Sequence, residues 1–296
     1  MSDTKSDLRV YQPVVERRTR VLSVRGVEYC INEWGNRDAP LLFFLHGWGD
    51  TGSTFQFVVD ALASEWHVVA PDWRGFGRSA HNGQSYWFPD YLADLHEILD
   101  NYSADRPVNL VGHSMGGNVC SLYAGIMPKR VSALVNLEGF GLSDSDPADA
   151  PLRYRRWVQR MRTPPAFATY DEFSELAMRI RKRNPGIGDA RAGFVARAWA
   201  CEDGACVRLR ADPRHKLPNP VLYRRREAEA CWQKISARIL LVAGARSPFA
   251  PQPGEMESLP FPGAETCTIE DAGHMLHFEA PERLAVEILR FFKYSL

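Results

Sequence analysis

The first apolar pattern along the chain is a partial alternation, over Arg18 to Arg25 and again over Val27 to Trp34, broken at Gly26. Alternation is the period of a half-buried strand, and a glycine between two such runs predicts an antiparallel hairpin. Pro40 then precedes Leu41-Leu-Phe-Phe-Leu45, an unbroken apolar run of the kind a strand shows when both its faces are covered. The spacing predicts a helix over Thr54 to Ala63 and a second buried strand over Trp66 to Ala70, closed by Pro71. Tyr91, Leu92, Leu95, Ile98 and Leu99 recur at helical spacing within Phe88 to Asn101. Val108 to Val111 is a short apolar strand, Met115 to Met127 a helix, and Val131 to Leu137 a further strand ending at Glu138-Gly139.

The rhythm then changes. From about Leu142 to Trp232 no clear buried strand is visible. Arg-rich helical stretches are broken instead by Pro164-Pro165, Pro185-Gly186, Pro213, Pro218 and Pro220. Strands resume at Arg238 to Ala243 and Glu265 to Ile269, and Pro281 to Tyr294 is a final amphipathic helix. Strands alternating with helices predict an α/β fold with a mostly parallel sheet and helices on both faces. The expected organisation is a core of 1–140 and 233–296 with a helical cap, 141–232, inserted after the sixth of eight strands.

With 45% hydrophobic and 24% charged residues the composition is that of an ordinary globular protein, so a large buried core is available. Basic and acidic side chains number 36 each, and this balance gives no global reason to expect nucleic acid or an anionic membrane surface as a partner. The charge is not evenly spread. Gly141 to Trp232 holds 18 Lys plus Arg against 12 Asp plus Glu, a surplus of +6 that the rest of the chain cancels. An anionic substrate under a basic cap is one reading; solvated helix faces are the plainer one. The polar start, MSDTKSDLRV, and the shortness of every apolar run predict no membrane span and a cytoplasmic location. The six cysteines form no CxxC pair and no His cluster accompanies them, so free thiols and no metal site are expected.

One short segment carries chemistry. Gly112-His-Ser-Met-Gly116 follows an apolar strand and opens a helix, which is the setting a G-x-S-x-G nucleophile elbow requires. A tight turn there lifts the Ser114 hydroxyl above the sheet edge and aims a helix N-terminus at it. A rival motif is Gly47-Trp-Gly49-Asp-Thr-Gly52 with Asp72 twenty residues on, a literal dinucleotide-binding spacing. It leaves the elbow and the entry hairpin unexplained.

From about residue 20 to the end the chain resembles the α/β-hydrolase superfamily, in the branch of esterases, lipases and meta-cleavage-product hydrolases. The matching blocks are His46-Gly-Trp-Gly49, Pro71-Asp-Trp-Arg-Gly-Phe-Gly-Arg-Ser79, Gly112-His-Ser-Met-Gly-Gly117 and Ala272-Gly-His-Met-Leu-His-Phe-Glu-Ala-Pro281. The resemblance implies Ser114 as nucleophile and His274, in the late loop, as its general base. It implies oxyanion donors from the backbone amides of Met115 and Trp48. The triad acid departs from the common pattern, because the loop after Arg238 to Ala243 offers Ser247 where an acid is usual. Some relatives place the acid one strand earlier, which points to Glu138; Asp271 is the rival, and Asp144 and Glu255 are weaker ones.

The resemblance thus implies a serine hydrolase that opens a carboxylic ester of a small molecule through an acyl-enzyme, without metal or cofactor. C–C hydrolysis of vinylogous diketones, thioesterase and perhydrolase chemistry would use the same residues. A non-catalytic ligand-binding protein on this fold stays open because of the missing late acid.

Overall fold

A computed structural model of the chain describes residues 8–62, 65–163, 165–252 and 254–293. Ala63, Pro164 and Tyr294, each part of a sequence expectation above, lie outside the described residues. Eight strands form the main sheet: β1 (Arg18–Val24), β2 (Val27–Trp34), β3 (Leu41–Leu45), β4 (His67–Pro71), β5 (Val108–His113), β6 (Val131–Leu137), and, after the inserted segment, β10 (Arg238–Gly244) and β11 (Glu265–Ile269). Their order across the sheet is β1-β2-β4-β3-β5-β6-β10-β11. β1 and β2 form the antiparallel hairpin, β2 also runs antiparallel to β4, and every later pairing is parallel. Each expected strand is present. This is an α/β-hydrolase fold.

The apolar runs explain why both faces are covered. Along β3, Phe43 and Leu45 point to one core while Leu42 and Phe44 point to the other. The first core is closed by the helices Phe88–Tyr102, Met115–Ile126 and Arg225–Trp232, the second by Gln56–Ala61 and Pro281–Lys293. Each fully buried Phe or Leu contributes roughly 1.5–3 kcal/mol, so a five-residue run serving both faces anchors the sheet centre. The first helix is shorter than its pattern suggested: a 3-10 turn, Gly52–Phe55, precedes Gln56–Ala61.

The segment between β6 and β10 is not wholly helical. Besides Ala150–Arg162, Phe173–Arg183, Asp189–Trp199 and Arg225–Trp232 it contains a small antiparallel sheet of β7 (Thr169–Tyr170), β8 (Ala200–Asp203) and β9 (Cys206–Leu209). These strands are two to four residues long and only partly buried, so no apolar run announced them. The segment seats on the core through a third apolar cluster, in which Leu176, Ile180, Val195 and Val207 surround Phe57 and Phe278. Among the described residues no helix is long and apolar enough to cross a membrane.

Candidate active site

The carboxyl ends of β3, β5, β6 and β10 meet at the middle of the sheet, and the candidate site is built there. Ser114 stands between β5 and the helix Met115–Ile126 with φ 51° and ψ −113°. A positive φ on a residue with a Cβ costs about 1–3 kcal/mol and persists only where its surroundings dictate it. Here the Ser114 N–H donates to the Leu137 carbonyl at 2.8 Å, and the Ser114 carbonyl accepts from the Asn118 N–H at 3.0 Å. The flanking glycines are required by space. A Cβ on Gly116 would fall 2.0 Å from the Leu45 carbonyl oxygen, and one on Gly112 would fall 2.6 Å from the Gly116 oxygen. The elbow is therefore strained at its tip and locked at its base.

Two further backbone segments close on this tip. Met115 opens the helix directly after Ser114. The loop after β3 runs beside it: a Cβ placed on Gly47 would lie 3.1 Å from the Ser114 Cβ. That loop carries Trp48, whose half-exposed ring packs against Phe76 and Phe167.

Glu138 ends β6 with φ 56°, a second strained position. Its side chain is fully buried, yet each oxygen is engaged. Oε1 accepts the Gly244 N–H at 2.8 Å. Oε2 accepts the Ser247 hydroxyl at 2.6 Å and His274 Nδ1 at 2.5 Å. A buried carboxylate is tolerable only when paired in this way. The Glu138 bond fixes the His274 proton on Nδ1 and leaves Nε2 as the basic nitrogen. Ser247, at the position where an acid is usual, is a donor to the acid that arrives from β6. Asp271 lies apart: it is exposed and pairs with Arg246 at 2.9 Å. Asp144 accepts from the Arg225 N–H, and Glu255 from the Gln252 N–H.

Behind the His274 loop lies a network that the sequence motifs contained but did not disclose. His113 is buried and donates from Nε2 to the His274 carbonyl at 2.8 Å. Burial, reinforced by His277 and His274 nearby, pushes the His113 pKa well below that of a free imidazole, so it serves as a neutral donor. His277 donates to Asp50 Oδ2 at 2.9 Å; Asp50 Oδ1 accepts Thr54 Oγ1 at 2.9 Å and the Trp199 indole N–H at 2.7 Å. One buried carboxylate thus ties the loop after β3, the His274 loop and the inserted segment together. Residues 50, 199 and 277 are too far apart in the chain for any local pattern to link them.

Burial alone would raise the Asp50 pKa, but the bond to His277 and the charges of His277 and His46, with the Trp199 bond, hold it below the ordinary value. A depressed carboxylate stabilises the fold above its unfolded pKa of about 4, and this is lost as pH falls toward the folded value. Asp50→Asn is therefore expected to cost about 2–3 kcal/mol at pH 7. Urea unfolding of the two proteins checks this: the gap should narrow progressively below about pH 4. A gap that widens in acid would contradict the assigned charge.

Asp50, His113 and His277 are also the one group among the described residues whose ligand-type atoms, all within 4.8 Å of one another, could approach a metal ion. Both Asp50 oxygens and one nitrogen of each histidine are already held in the hydrogen bonds just described. The dinucleotide spacing resolves differently. Asp72 is buried and accepts from the N–H groups of Gly52 and Arg78 and from Asn32, so its carboxylate ties the loop after β4 to the turn after β3 and to β2. Arg74 is turned inward too, clamping Asp94 on the helix Phe88–Tyr102 through two nitrogens.

The family model described as alpha/beta hydrolase fold matches residues 40–281. The chain belongs to the α/β-hydrolase fold family. Among curated relatives, a serine hydrolase-like protein of Danio rerio is 29% identical over 220 residues, covering 71% of this chain and 66% of the relative. The chain thus spans just under two thirds of that relative's length. A 3-hydroxybutyrate-oligomer hydrolase of Cupriavidus necator is 27% identical over 271 residues, 86% of this chain and 89% of the relative. Among solved structures, the thioesterase domain from the curacin biosynthetic pathway superposes with a TM-score of 0.85 at 25% identity, covering 93% of this chain and 99% of that one.

Proposed function

We propose that this α/β-hydrolase-fold protein is a serine hydrolase that cleaves a carboxylic ester of a small molecule through an acyl-enzyme. The observation that carries the reading is the bond from His274 Nδ1 to a buried, fully engaged Glu138 carboxylate, with a serine held at a strained elbow after the strand paired with the one that delivers Glu138. Ser114 is the nucleophile. His274 Nε2 takes its proton as it attacks the ester carbonyl, and Glu138 stabilises the imidazolium that forms. The amides of Trp48 and Met115 donate to the oxyanion. His274 then protonates the leaving alcohol, and water repeats the cycle to free the acid. Residues 1–140 and 233–296 form the catalytic core and 141–232 the cap, whose last helix, Arg225–Trp232, packs into the core of the main sheet. No cofactor takes part, and the protein acts in the cytoplasm.

An acyl substrate is supported by two exposed aromatic rings at the proposed site. Phe249, two-thirds exposed, stands edge-on to the His274 ring with centroids 4.8 Å apart, and Trp48 is half exposed. Such a rim favours apolar or oligomeric acyl chains over a small enclosed substrate. The thioesterase neighbour motivates a thioester arm in the test. Rapid mixing with p-nitrophenyl butyrate is expected to give a burst near one equivalent of nitrophenolate, with turnover slower on the matched thioester and absent on a vinylogous diketone. Release of neither alcohol nor thiol above the Ser114→Ala background would contradict the reading.

A further inference from the structure

The helix Ala150–Arg162 stands outside the rest of the fold's energetics. None of its residues is buried, and none belongs to the three apolar clusters. Its side chains are nevertheless amphipathic. Tyr154, Val158 and Met161 recur at i, i+4 and i+7, which makes one stripe, and they are 53%, 55% and 39% exposed. Arg155 and Arg162 border that stripe on one side. Ala150, Arg153 and Trp157, the three half-buried positions, mark the side turned to the body, where Arg153 donates to the Asn219 carbonyl. The helix contains five arginines (153, 155, 156, 160 and 162) and no carboxylate.

This helix is ill suited to water alone. At 13 residues it is near the length below which an unpacked helix is marginal. Arg153, Arg156 and Arg160 follow one another at i+3 and i+4 spacing, where like charges repel. A partner should therefore offer negative charge spread over an area and an apolar interior reachable by a shallow stripe. A second copy paired through this helix about a two-fold axis offers the apolar stripe but not the charge, because the pairing would face arginines with arginines. Nucleic acid offers the charge but nothing for Val158 and Met161.

We propose that Ala150–Arg162 docks on the surface of an anionic lipid bilayer, lying in the interface with Tyr154, Val158 and Met161 inward and its arginines among the headgroups. The chain's zero net charge conceals this, because the helix's surplus is cancelled by acids elsewhere. The mode is peripheral, consistent with the lack of a spanning helix among the described residues. It goes beyond the hydrolase reading and does not depend on it.

The test is co-sedimentation of the full chain with vesicles of phosphatidylcholine alone or with 30 mol% phosphatidylglycerol, using the wild type and Ser114→Ala so that turnover is irrelevant. Both proteins should partition at least tenfold more strongly onto the anionic vesicles, and 0.5 M salt should remove most of the gain. Val158→Glu/Met161→Glu and Arg155→Glu/Arg162→Glu should each cut anionic partitioning at least tenfold. All four positions are exposed, so circular dichroism and hydrolysis of a short soluble ester should be unchanged. Equal partitioning onto both vesicle types, or anionic binding that survives both double substitutions, would overturn the proposal. So would a lipid-free dimer that Val158→Glu/Met161→Glu converts to monomer.

Discussion

Ser114→Ala is expected to lower kcat on p-nitrophenyl butyrate by about 10^5–10^6-fold, with KM changed little. The size follows from the chemistry: without the hydroxyl no acyl-enzyme forms, and His274 and Glu138 have no nucleophile to serve. What remains is attack by water assisted by the oxyanion amides. The fold should be undisturbed, because alanine keeps a Cβ at the same φ of 51° and removes no backbone bond. Ser114→Gly should be equally inactive but more stable than Ser114→Ala, by about 1 kcal/mol, since glycine adopts a positive φ without strain. Stopped-flow kinetics and urea titration measure the two parts separately. An inactive Ser114→Ala that is also unfolded would leave the elbow account without support.

The second large effect is at the acid. Glu138→Gln is expected to lower kcat by about 10^3–10^4-fold, the loss seen when a triad carboxylate becomes an amide. The glutamine oxygen can still accept from Gly244 or Ser247, so the loop geometry is largely kept. Its NH2 cannot accept from His274 Nδ1, and the imidazolium loses its compensating charge in a buried setting. Asp271→Asn should stay within about twofold of wild type, because that side chain faces solvent and only pairs with Arg246, an interaction worth little. Steady-state kinetics on the two variants decide between the carboxylates. Full activity in Glu138→Gln with loss in Asp271→Asn would reverse the assignment.

How far the sequence disclosed this site depends on how local each signal is. All eight sheet strands were legible because buried parallel strands are continuous apolar runs and the hairpin alternates. The strained turn at Ser114 and the pairing of His274 with Glu138 were legible because each residue sits at the end of a recognisable strand or in a short block. The role of Ser247 was only half legible: its position marked a missing acid, but that it donates to Glu138 required β6 and β10 to be seen side by side. The Asp50–His277–Trp199 network was not legible, since its three members lie in separate blocks and meet only in the fold. β7, β8 and β9 were hidden for the opposite reason, being too short and too exposed to carry a period.

The central claim is that Ser114 is an activated nucleophile. The direct measurement is intact-protein and peptide mass spectrometry after exposure to a fluorophosphonate, which captures only a serine whose proton is being removed. One phosphonyl adduct per chain, on the peptide carrying Ser114 and lost in His274→Ala as in Ser114→Ala, is the expected result. A well-folded wild-type protein that takes up no adduct, or takes it up on another residue, would contradict it.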